Sequence, residues 1–323
     1  MKDLFSPKIK NGIFCLLFLV INIQLFAQDS NISISRMVND DNSIDLNYEK
    51  KLPGTYHVIL EFSKVYNCDI KRYECDIKGH NGSLLTLRPS NSKSGISYAL
   101  NHFSILGVSN PKVDSLFQYS LPFKSGNKQK IYEAGNIGEK YFGSEKPTNW
   151  KSYIINFKNL DTIFCMRKGI VVRLIDVFED DSSIDKQYTS KRNSITIEHE
   201  DGTFSDYVGF KKNSFKVKLG QTVYPQTQLG IVELYNKSEN NYRLDFYIRY
   251  LSKIDFEKKD MMDMFKNSNS LYTFLTPHFF TAEGVITVES SKEYSASFNE
   301  AMLLQEMTRS EKKKYLKDPT PFK

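Results

Sequence analysis

Few side chains in this sequence are suited to bond-breaking chemistry, and their spacing narrows the choice. There are five His in 323 residues. His57, His80 and His102 lack metal-ligand spacing, and no His occurs from 103 to 198. His199 stands alone at the end of a β-branched run, where a buried, hydrogen-bonded ring is the plain expectation. Cys68, Cys75 and Cys165 contain no Cys-x-x-Cys pair, so they make a poor zinc site. In an oxidising compartment Cys68 and Cys75 could close a small disulfide loop and leave Cys165 unpaired. No Gly-x-Ser-x-Gly elbow and no Walker-type phosphate loop is present. Arg243 and Asp245 lie two residues apart in an alternating segment and so share one strand face. Either they form an exposed ion pair, worth ~0–1 kcal/mol, or they line a cleft that holds a polar group.

The elements that must position these residues are strands. Twenty-three Phe and nineteen Tyr against one Trp, with 16 Gly and 10 Pro, favour pleated segments closed by turns. The length suits one or two domains. A mean hydropathy of −0.44 excludes a polytopic membrane protein. The 44 basic and 38 acidic residues are interspersed, which argues against a disordered or nucleic-acid-coating chain.

Residues 1–27 read as a cleaved signal peptide. Lys2, Lys8 and Lys10 form a basic start, Ile13 to Ile23 an apolar run, and Ala27 a small residue before the cut. The run is short for a spanning helix, which needs about 20 residues. Cys15 lies inside the run and not at its end, which argues against a lipid anchor. Cleavage removes three Lys and one Asp, so the exported chain carries about +4. Export to the periplasm or beyond is expected, with no membrane span and no nucleic-acid partner.

Over 28–120 the chain reads as short strands between turn residues: Ser33 to Val38, Ser43 to Tyr48, Tyr56 to Phe62 and Ser83 to Leu87. This predicts a small β-sandwich. A Gly-punctuated β domain follows over 121–255. It contains a long β-branched strand from Ile170 to Val177, a strand from Asn193 to His199, a tight Asp201-Gly202 turn, and the return strand Thr203 to Phe210. Tyr242 to Tyr250 alternates strictly. The extension 256–323 returns to strand character through Phe279 to Val288. It ends in a short helix, with Ser297 and Glu300 at capping-box spacing, and beyond Ser310 a Lys cluster that reads as a solvated helix end or a loose tail.

The motifs of 121–250 together resemble the lysostaphin/LytM-type zinc metallopeptidases, whose β-sheet fold is called the duplicated hybrid motif. The resemblance rests on Leu121-Pro122-Phe123, Tyr153-Ile154-Ile155-Asn156-Phe157 and Met166-Arg167-Lys168-Gly169-Ile170-Val171. It continues through Ile197-Glu198-His199-Glu200-Asp201-Gly202-Thr203 with Tyr207, then Leu219-Gly220-Gln221-Thr222-Val223, Leu229-Gly230 and Arg243-Leu244-Asp245-Phe246. Order and spacing agree over about 130 residues.

The resemblance implies a zinc site of a His, an Asp and the second His of a His-x-His, leaving the fourth position for an activated water. Carried across, the Asp ligand becomes Asn156, the second His Asp245 and the first His of the pair Arg243. The His after the return-strand Tyr207 becomes Gly209, and the first ligand should fall within 135–152, which holds no His. An amide is a weak ligand, and a guanidinium is a fixed cation. Cys165 matches a family Ala. The expectation is therefore a degenerate member with no metal and no cofactor. It would keep a vestigial cleft of Asn156, His199, Tyr207, Arg243 and Asp245, and act as a binding or regulatory module on peptidoglycan or an envelope protein. Two alternatives are a zinc endopeptidase with a rebuilt site using Asp245 and His199, and a structural or adhesive β-module with the cleft filled in.

Overall fold

Alternating and fully apolar segments between Asn, Asp and Gly turns give this chain almost nothing but strands. A computed structural model describes residues 31–135, 149–179, 191–252 and 271–322. The signal-peptide segment 1–27 and residues 136–148 of the stretch expected to carry the first ligand lie outside the described residues. Ile32 to Lys323 form one compact unit.

Six strands come first: β1 (Ile32–Val38), β2 (Ile44–Lys50), β3 (Tyr56–Tyr66), β4 (Arg72–Ile77), β5 (Asn81–Leu87) and β6 (Ser97–Leu106). They form two antiparallel sheets, ordered β1-β2-β5 and β4-β3-β6. Ile44, Leu46 and Leu87 from the first share a core with Val58, Leu60, Phe62 and Ile77 from the second, which makes the expected sandwich. Ile59 points the other way, onto Leu251 and Leu271 of the following region. This explains why Val58, Ile59 and Leu60 are all fully buried despite the alternation of a strand. Cys68, Cys75 and Cys165 are free thiols in this structure, which does not contain the possible Cys68–Cys75 link. Strand register holds Cys75 opposite Val58, while Cys68 sits in the β3–β4 connection.

The second region contributes β7 (Gln118–Tyr119), β8 (Lys128–Glu133), β9 (Tyr153–Phe157), β10 (Thr162–Phe164), β11 (Gly169–Ile175), β12 (Asn193–Glu198) and β13 (Thr203–Phe210). It continues with β14 (Thr222–Val223), β15 (Gln228–Ile231), β16 (Leu234–Asn236), β17 (Asn241–Leu251), β18 (Tyr272–Leu275), β19 (His278–Thr281), β20 (Gly284–Ile286) and β21 (Lys292–Ser295). A ten-stranded sheet runs β14-β11-β12-β13-β17-β9-β8-β21, with β16 and β18 also pairing with β17. Leu244, Phe246 and Ile248 of β17 enter the main core with Tyr153, Ile155, Ile195, Ile197 and Tyr207. Between β12 and β13, Gly202 takes a φ of +84°, which only glycine adopts without strain.

Two α-helices and a final 3-10 turn close the chain among the described residues, α1 (Glu300–Gln305), α2 (Arg309–Lys317) and the turn Thr320–Phe322. The cap of α1 is Asn299, not Ser297: Asn299 is extended and its side chain accepts from the Met302 N–H. A capping box does form, at Thr308 and Glu311 of α2. Of the two readings of the Lys-rich segment, the solvated helix holds: it is this second helix, with no fully buried side chain.

Candidate functional site

The pleat decides which candidate residues meet. β9 and β17 pair with Arg243 opposite Asn156 and Asp245 opposite Ile154, and β13 places Val208 opposite Asp245 on the other side. Because Leu244 and Phe246 fill the core, Asn156, Arg243 and Asp245 share the opposite face. His199 and Tyr207 are not part of that face, which corrects their placement in the cleft. Both point into the core. Tyr207 is fully buried and its hydroxyl accepts from the Met166 N–H at 2.8 Å. His199 is buried between the Lys168 carbonyl at 2.7 Å from Nδ1 and the Ser205 hydroxyl at 2.6 Å from Nε2. A carbonyl only accepts, so Nδ1 carries the proton and Nε2 accepts from Ser205. Burial, and then the Arg167 cation, push the His199 pKa down to about 3, so the ring is neutral.

Three residues that no motif singled out complete the outer face. Arg192, just before β12, is 4% exposed. Its Nε donates to Glu233, its Nη1 lies 3.0 Å from Asp245 Oδ2, and its Nη2 donates to the Arg243 carbonyl at 2.7 Å. Arg243 grips the same Asp245 with two hydrogen bonds, Nε to Oδ1 at 2.6 Å and Nη2 to Oδ2 at 2.8 Å. The Tyr235 ring lies under both guanidinium groups, 4.5 Å from Arg243 and 5.0 Å from Arg192. Asn156 stands exposed beside this cluster, accepting from Asn241 at 3.2 Å. In the sequence, Glu233 was the one visible signal: a single acid inside Leu229-Gly-Ile-Val-Glu-Leu-Tyr235. Arg192 carried none, since only β-sheet register brings it to Asp245.

Gly209 explains itself in this geometry. A Cβ there would stand 2.2 Å from Arg192 Nη2 and 2.3 Å from the Arg243 carbonyl oxygen, at a φ of +115°. The space that a side chain at this position would occupy is held by a guanidinium.

The charges balance in place. Burial alone would raise the Asp245 carboxyl, but Arg192 and then Arg243 outweigh it and hold it below its ordinary value. Burial would lower the Arg192 pKa, but Asp245 and Glu233 hold it above. A divalent metal does not fit this set. A dication here would stand beside two guanidinium groups that cannot lose their protons, and Asn156, the neighbouring donor, is a weak neutral amide. Among the described residues no group of three His, Cys, Asp or Glu side chains has a metal-holding arrangement.

No family model matches the chain, and no curated protein matches it. Solved structures do. The M23 metalloprotease pseudoalterin, of deep-sea origin, shares 13% identity over 57% of this chain and 96% of its own, with a TM-score of 0.31. Csd3 of Helicobacter pylori shares 12% over 90% and 79%, at 0.28. The SpoIIQ–SpoIIIAH pore-forming complex shares 18% over 41% and 84%, at 0.25. At such identities and TM-scores these matches carry no statement about chemistry.

Proposed function

We propose that this chain is a non-catalytic LytM-type scaffold, exported to the cell envelope, that works by binding peptidoglycan or a protein that acts on it. The observation that carries the reading is the Arg192 guanidinium, which ties Glu233, Asp245 and the Arg243 carbonyl together beside Gly209. By the resemblance, Asp245 stands where a peptidase would hold zinc, and Arg243 and Gly209 where its proton-handling His residues would be. A buried cation there performs a structural task, and the Asp245 carboxylate on this face is engaged by two guanidinium groups instead of activating a water. The neutral, buried His199 gives no base either, since its Nε2 is engaged by Ser205 inside the core. No helix among the described residues is long and apolar enough to cross a membrane.

The test is metal content after exposure to zinc, by plasma mass spectrometry against a chelator-treated control. Under about a tenth of an atom per chain is expected; close to one atom, together with cleavage of peptidoglycan, overturns the reading. Retention on insoluble peptidoglycan, or cross-linking to an envelope protein, is the positive arm. Absence of both sinks the binding role.

A further inference from the structure

The C-terminal helix α2 has a face that its role in the fold does not use. Its nine residues, Arg-Ser-Glu-Lys-Lys-Lys-Tyr-Leu-Lys, hold five basic side chains and one acid. That acid, Glu311, is turned inward. Its carboxylate accepts from Lys168 Nζ at 2.8 Å and from the Tyr224 hydroxyl at 2.8 Å. Tyr315 also faces inward, its ring 5.7 Å from Phe322, which packs with Tyr224, Leu303 and Met307. At 100° per residue, these two contacts fix the rotation of the helix. Arg309, Lys312, Lys313, Leu316 and Lys317 then fall on one outward arc. All five are exposed, and Leu316 is 79% exposed, the largest value among the exposed hydrophobic side chains of the described residues.

We infer that this arc is a docking face for an anionic lipid bilayer surface. Charge complementarity names the occupant: four cations with no acid among them attract anionic headgroups. The leucine in their midst selects a bilayer over an acidic protein or a nucleic acid. At a lipid interface it enters the acyl boundary while the neighbouring Lys stems reach outward to the headgroups. The helix needs no bilayer to form, because the Thr308–Glu311 capping box and the Lys168 contact hold it in place. Lipid binding therefore carries little ordering cost. The proposal is independent of the arginine–carboxylate cluster and stands whatever that face binds.

The test is co-sedimentation of the chain from Gln28 onward, which contains the whole compact unit, with vesicles. Phosphatidylcholine vesicles are compared with the same lipid carrying about 30% phosphatidylglycerol. Binding to the anionic vesicles only is expected, with release in about 0.5 M salt. Each basic residue near the surface contributes roughly fivefold to partitioning, so Lys312→Gln, Lys313→Gln and Lys317→Gln together should lower it about 100-fold. Leu316→Ser should lower it about tenfold more. Circular dichroism and melting of the variants, unchanged from the parent, show that the fold is kept. Equal binding to neutral vesicles, no binding to either vesicle, or a triple variant that binds like the parent overturns the inference. Retention on an acidic protein or nucleic acid without vesicle binding also overturns it.

Discussion

Replacing Arg192 by Met tests the cluster most directly. Met fills much of the same volume but carries no charge and donates no hydrogen bond. Glu233, 1% exposed, then loses its Arg192 partner, Asp245 loses one of two guanidinium groups, and the Arg243 carbonyl loses a donor. Removing one partner from a buried ion pair costs about 3–5 kcal/mol, because the remaining charge stays desolvated. The unfolding entropy of a compact unit of about 290 residues converts this into a fall in Tm of about 5–8 °C. Differential scanning calorimetry on Arg192→Met measures it. Adding Glu233→Gln neutralises the carboxylate left behind, so the double variant should lose clearly less than the two single losses together. A Tm change under about 1 °C for Arg192→Met, or strictly additive losses, would refute the claim that this cation holds the face together.

Three further predictions rest on other residues. Gly209→Ala should destabilise by more than about 2 kcal/mol, through its positive φ and the 2.3 Å approach to the Arg243 carbonyl. Part of that loss should disappear in the Arg192→Met background, where the guanidinium clash is gone, as urea unfolding would show. The unfolded chain protonates His199 near its ordinary pKa of 6.5, whereas the folded chain resists protonation down to about 3. Stability contributed by the neutral ring is thus fully present above pH 6.5 and declines as pH falls, by up to about tenfold in the folding equilibrium per pH unit. Urea titrations between about pH 7 and pH 4.5 should show this slope reduced by one proton in His199→Gln. Tyr207→Phe strips the Met166 N–H of its acceptor inside the core and should cost about 1–3 kcal/mol, read as a lower urea midpoint with unchanged slope.

The division of labour between sequence and tertiary structure follows from how far each signal reaches. Alternation is local, so the strands over Tyr56 to Phe62, Asn193 to Glu198 and Tyr242 to Tyr250, and the Gly202 turn, were legible from composition and period alone. The shared face of Arg243 and Asp245 was legible for the same reason. Short strands such as β10, β14 and β16 were not, because two or three residues make no period; they exist only because a neighbouring strand supplies their hydrogen bonds. His199 and Tyr207 lie in motifs that the resemblance ties to a cleft, yet strand parity turns both into the core, since a one-residue offset along a strand reverses the face. That Arg192 and Glu233 meet was beyond any reading of spacing. They lie 41 residues apart and meet only because register brings the start of β12 and the approach to β16 beside the Arg243 carbonyl. Sequence alone therefore set which of the longer segments are strands and that no His stands at 156, 209, 243 or 245. What fills that place was decided by sheet pairing, which joins residues by lateral hydrogen bonds whatever their distance along the chain.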